Sequence, residues 1–259
     1  MNLVFYFAKI EIFKVFRRRY LLFLLTLTTI AYPLLIGAFI SIFYNEIQFS
    51  SAAPIADVAA MVILLTTSII LLPLWITVFV GQEFSMNYVS RFIHANSRSH
   101  YFFSKIVYCL LVSAYFTFLS LLTIYLSFRL ILFDQVNEHT TFFLQLVPQL
   151  WTVYTLYSLV CLSLVFLIRK PILSTMLLYI IPQVDSIITM VANKFFDSTI
   201  RLGPFEMIRM LYSESVRGYT VSYISYSFYN SLLPFCYVLL IIIASYRYFL
   251  RRDLKIMSE

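Results

Sequence analysis

The chain has 259 residues, of which 61% are hydrophobic, 19% aromatic and only 12% charged, with a mean hydropathy of +0.88. Soluble domains are roughly a quarter charged, so this composition cannot clothe a water-soluble fold and excludes soluble enzymes, nucleic-acid-binding modules and disordered chains. The net charge of +7 is accordingly read by its placement along the chain, not as an affinity for nucleic acid.

Residues 1–19 predict an amphipathic interfacial helix. On a helix, Val4, Phe5, Ala8, Ile12, Val15 and Phe16 share one face, while Glu11, Lys14 and Arg18 point away from it and Lys9 interrupts the stripe. Arg17, Arg18 and Arg19 close the segment and suit a membrane-surface anchor on anionic headgroups. Packing of this helix against a partner subunit is the equal alternative.

Six apolar runs follow, each near the roughly 20 residues that a helix needs to cross a bilayer. They cover 21–43, 58–81, 106–128, 142–168, 171–192 and 228–249. The runs are continuous, not alternating, so they predict helices and not a transmembrane barrel. The expected fold is all-α: one polytopic membrane domain over 1–259, with six transmembrane helices. Pro171 and Pro234 suit first helical turns, where a missing N–H costs nothing. Pro33, Pro73, Pro148 and Pro182 fall inside runs and predict kinks.

Six spans put both ends on one side. With the ends inside, the outer segments hold only Arg129, Lys194, Arg201, Arg209 and Arg217 of the 19 Lys and Arg residues. The bias of basic residues then predicts an N-in/C-in topology in the cytoplasmic membrane. The longest outer loop is 193–227, in which Pro204–Val216 suits a short interfacial helix.

The stock of reactive groups is small. Cys109, Cys161 and Cys236 each lie alone in an apolar run and read as core residues. His94, His100 and His139 are scattered through predicted loops and match no metal-ligand spacing. Four glycines cannot write G-x-x-x-x-G-K-[ST], so no nucleotide-hydrolysing loop is expected in this chain. Asp185 is the carboxylate within a predicted span. It lines a translocation path, or lies at the outer interface if the fifth span ends near Pro182.

The segment 82–105, QEFSMNYVSRFIHANSRSHYFFSK, is polar, basic and too long for a minimal helix connection. Phe84–Ala95 predicts a short helix, broken at Asn96-Ser97. Glu83 stands where the second run leaves the bilayer, and Arg91 and Arg98 project into the cytosol. A solvated linker whose cations merely enforce topology is the plain reading.

The order Glu83-Phe84, Ser97-Arg98, Tyr101-Phe102-Phe103 and Lys105 resembles the cytosolic coupling loop of type-2 permease subunits of ATP-binding-cassette transporters. The ending Tyr246-Arg247-Tyr248-Phe249-Leu250-Arg251-Arg252-Asp253-Leu254 is also similar to that family's close of span six. Many members carry a Gly-Thr pair after the acidic residue, where this chain has Asn87-Tyr88. The resemblance implies an exporter subunit that is not itself an enzyme. It implies as partners a cytosolic ATPase, which carries the ATP and Mg, and a second permease chain, identical or related. It further implies that Glu83, Arg91, Ser97, Arg98 and Lys105 serve coupling to the ATPase, with Arg91 and Arg98 pairing with its acidic groups and Glu83 fixing the loop against the N-terminal helix. The rivals are an ion-coupled transporter, a membrane-embedded enzyme and an assembly factor, each without an ATPase partner.

Overall fold

The computed structural model describes residues 3–17, 71–85, 97–131, 140–196 and 228–251, together with positions 19, 20, 23, 26, 27, 30, 31, 35 and 89. All elements formed by the described residues are helical, with no strand among them. Helix α1 spans Leu3–Arg17. Helix α2, Leu72–Ile76, runs through a π-helical turn at Thr77–Gly81 into the single turn α3, Gln82–Ser85. Four long helices follow: α4 (Arg98–Ile131), α5 (Thr140–Ile168), α6 (Pro171–Phe196) and α7 (Phe228–Arg251).

Among the described residues, three stretches are long and apolar enough to cross a membrane: Arg98–Leu122, Leu150–Ile168 and Pro171–Ile188. With the composition, they make this a helical membrane protein. The expected first span and the greater part of the second lie for the most part outside the described residues. So do Arg18, Arg91, most of the predicted coupling helix and residues 197–227 of the outer loop.

Local chemistry sets several helix ends. Ser97 caps α4: its Oγ accepts the His100 N–H at 3.2 Å, and its carbonyl accepts the Tyr101 N–H at 3.1 Å. The polar residues from Arg98 to Lys105 are therefore the first turns of a helix and not the tail of a loop, and His100 is helical too. At the same end of the bundle, α5 stops at Ile168, and Arg169 takes a left-handed backbone (φ 61°) before Pro171 opens α6. Helix α6 continues through Pro182 to Phe196. Pro234 lies beyond the first turn of α7, which begins at Phe228, contrary to its expected place.

At the start of the π turn, Thr77 Oγ1 donates to Pro73 O at 2.8 Å and to Leu74 O at 3.1 Å, so the hydroxyl shares the carbonyls that the helix ladder uses. The turn delivers Gly81 against α6, where a Cβ would stand 2.9 Å from the Pro171 Cβ and 3.2 Å from its Cα. Only glycine allows so close a crossing.

The core sits between α2, α4 and α5. Trp75 stacks on Phe79 at 5.0 Å and meets Phe116 edge-on at 5.7 Å. Hydroxyls tie α4 to α5, Ser113 to Thr155 at 2.8 Å and Ser120 to Tyr154 at 2.9 Å, as expected where no water competes. Cys109 and Cys161 are buried, but Cys236 is exposed on α7, which corrects the expectation of three core thiols. Helix α6 presents Ile172, Met176, Ile180 and Ile187 outward, a surface suited to lipid tails.

Candidate functional site

Among the described residues, buried charges gather where α1, α3 and α4 meet. Glu11 and Lys14 stand one turn apart on α1 and pair at 3.2 Å. Glu83 lies on α3, immediately after the π turn. Lys105 lies two turns into α4. Its Nζ donates to Glu11 Oε1 at 3.0 Å and Oε2 at 2.9 Å, and to Glu83 Oε1 at 2.9 Å. Lys14 closes the set by reaching Glu83 Oε1 at 3.3 Å.

Two carboxylates and two ammonium groups thus balance. That balance is required, because Lys105 is 1% exposed, Glu11 2% and Glu83 7%, and lone charges at such depth would cost several kcal/mol each, of order. Hydrogen bonds complete the cluster. The Tyr101 hydroxyl donates to Glu83 Oε2 at 2.8 Å, and Ser104 Oγ donates to Glu11 Oε1 at 3.5 Å and to Tyr101 O at 2.8 Å. The Lys105 ammonium also lies 5.3 Å from the Tyr101 ring centroid and 5.6 Å from that of Tyr108. Burial pushes the Glu83 carboxyl up. The Lys105 and Lys14 charges and the hydrogen bonds from Lys105 and Tyr101 outweigh it and hold the carboxyl below its ordinary value of 4.5.

Beside the ion cluster lies an aromatic one. Tyr101 belongs to both. Phe84 packs edge-on against Phe166 at 5.5 Å, Phe166 against Phe249 at 4.8 Å, and Phe102 against Phe166 at 4.8 Å. The ends of α3, α4, α5 and α7 are thereby locked together. Arg169 lays its guanidinium 5.7 Å from the Phe249 ring centroid, which gives its left-handed backbone a packing role.

The sequence-derived candidates distribute unevenly over this geometry. Glu83 and Lys105 meet in the ion cluster. Ser97 is the cap of α4. Arg98 donates from Nη1 to Leu250 O at 2.7 Å, satisfying a carbonyl at the end of α7, and Ser99 meets the Tyr246 hydroxyl at 3.0 Å. Arg17 and Arg19 are exposed. Asp185 lies within α6, with its side chain outside the described set, and Arg18 and Arg91 lie outside it altogether. Glu11, Lys14 and Tyr101 complete the cluster, although sequence reasoning gave them no part in the coupling set. On the sequence alone, Glu11 and Lys14 point away from the apolar stripe. The available signal was Lys105 itself, a lysine at the mouth of a long apolar run that needs carboxylates from elsewhere in the chain.

No group of three His, Cys, Asp or Glu side chains able to hold a metal ion occurs among the described residues. The cluster joins three segments that are far apart in sequence, α1, α3 and α4. No protein-family model, no curated protein and no solved structure matches the chain.

Proposed function

We propose that the chain is the transmembrane permease subunit of an ATP-binding-cassette exporter. It would have six spans with N-in/C-in topology in the cytoplasmic membrane and would work with a second permease chain and a cytosolic ATPase that supplies ATP and Mg. The observation that carries this reading is the double anchorage of the segment between Glu83 and Arg98. At its front, Glu83 is tied to α1 and α4. At its rear, Arg98 and Ser99 are tied to the end of α7.

Such a segment is a handle. A push on it is passed to α1, α4 and α7 together, because buried ion pairs and packed rings resist continuous deformation. That is the mechanical property a permease needs when closure of an external motor must reorient its spans. Within this reading Arg91 faces the ATPase, while Arg98 serves the rear anchor. Asp185, within α6, is assigned to the path between the two permease halves.

The test is affinity purification of the full chain in mild detergent. The expected result is a co-purifying subunit that hydrolyses ATP and carries a G-x-x-x-x-G-K-[ST] loop, with binding lost in Arg91→Glu while the chain's melting temperature holds. Transport that proceeds without ATP and collapses with a protonophore would overturn the reading. It would favour the ion-coupled alternative.

A further inference from the structure

The outward side of α1 is not the face that sequence periodicity selects. Tyr6, Lys9, Phe13 and Arg17 recur at spacings of three and four residues along one line of α1, and Tyr20 follows three residues past its end. All five are exposed, Phe13 by 67% and Tyr20 by 93%. The line alternates aromatic rings and cations. The acid of the same helix, Glu11, is turned to the opposite side and neutralised by Lys105, so no described carboxylate weakens the positive charge of the stripe. Beyond Tyr20 the described exposed side chains become wholly apolar at Phe23, Leu27 and Leu35.

We infer that this stripe is a docking surface for anionic phospholipid headgroups, with Lys9 and Arg17 on the phosphates and Phe13 and Tyr20 in the glycerol and carbonyl layer. The Tyr20 ring, apolar with a polar tip, favours that layer, the apolar Phe13 ring gains by leaving water for it, and cations near it are drawn to anionic lipid. The change from mixed to purely apolar exposure past Tyr20 marks the level at which headgroups give way to tails. An acidic protein groove would match the cations but leave the rings between them without a counterpart. The inference stands apart from the permease reading and holds whether or not an ATPase is the partner.

The ion cluster gives the stripe its consequence. Helix α1 is joined by Glu11 and Lys14 to α3 and α4, so headgroups that hold the outer side of α1 load the same clasp that holds Glu83.

The experiment uses the full chain in nanodiscs of phosphatidylcholine, alone or mixed with phosphatidylglycerol, and counts the lipids retained on release by native mass spectrometry. The expected result is preferential retention of phosphatidylglycerol, falling about fivefold for each cation removed in Lys9→Gln and Arg17→Gln. Lys194→Gln on α6 should leave the preference unchanged. Equal retention of both lipids, or an undiminished preference in the double variant, overturns the proposal. A second measurement keeps both cations: an environment-sensitive label at F13C, in a Cys236→Ser background, should shift to the blue when phosphatidylglycerol is present. Cross-linked F13C dimers would overturn the proposal by assigning the stripe to a second copy, and a shift that needs a soluble protein would overturn it by assigning the stripe to that protein.

Discussion

The ammonium of Lys105 lies 2.9 Å from Oε2 of Glu11, although 94 residues separate them. The pair sews the N-terminal helix to the start of α4, and both partners are almost wholly buried. Replacing Lys105 by Met should leave two carboxylates in an apolar setting with only Lys14 to answer them. The expected loss is about 3–5 kcal/mol, read as a fall in melting temperature in detergent. The triple variant Glu11→Leu, Glu83→Met, Lys105→Met should recover most of that loss. Equal damage in the single and triple variants would show that charge balance is not the binding principle.

The pH dependence follows from the sign of the Glu83 shift. Its folded carboxyl titrates below the ordinary value of 4.5, so it contributes stability that is fully present above that value and is lost as pH falls through the folded value. Melting temperature should therefore be insensitive to Glu83 from neutrality down to the ordinary carboxylate range and decline below it. Tyr101→Phe removes a hydrogen bond to the ionised form and brings the folded titration closer to the ordinary one, so the onset should stay in place while the total acid-induced loss shrinks. A loss of undiminished size in Tyr101→Phe would contradict the assignment.

Gly81→Ala tests the crossing of the π turn and α6. The new methyl would meet Pro171 at 2.9 Å from its Cβ and 3.2 Å from its backbone Cα, so the helices must separate. A cost of about 1–3 kcal/mol is expected from overpacking. Thermal melting checks the size. Hydrogen exchange should show the loosening at the start of α6 and not along α5.

Arg98→Gln removes the donor to Leu250 O, and with it a cation placed favourably at the end of α7. Hydrogen exchange of residues 247–251 should rise several-fold, in keeping with about 1 kcal/mol for a partly exposed contact. Arg98→Lys should restore part of the protection. Unchanged exchange in both variants would remove Arg98 from the rear anchor of the handle.

Several features were legible in the sequence because their causes are local. Hydrophobic run length marks the helices. The Arg169-Lys170-Pro171 step marks the close of α5 and the opening of α6 where hydropathy breaks and proline favours a first turn. The start of α4 was misplaced for an equally local reason, since the cap at Ser97 makes helix out of residues whose polarity reads as loop. Glu83 and Lys105 stand together in the coupling set that the resemblance implies, but nothing in their spacing gives the geometry of a shared ion cluster.

By itself, then, the sequence determined that this is a helical membrane protein, since apolar composition and continuous runs leave the backbone no other way to satisfy its hydrogen bonds in lipid. The tertiary structure alone decided which side of α1 looks inward. The amphipathic pattern favours burial of the stripe containing Ile12, yet Glu11 is buried and Ile12 is exposed. The reason is electrostatic: Lys105 in an apolar helix needs carboxylates nearby, and which carboxylates reach it depends on how distant segments meet, a relation no local pattern of residues encodes.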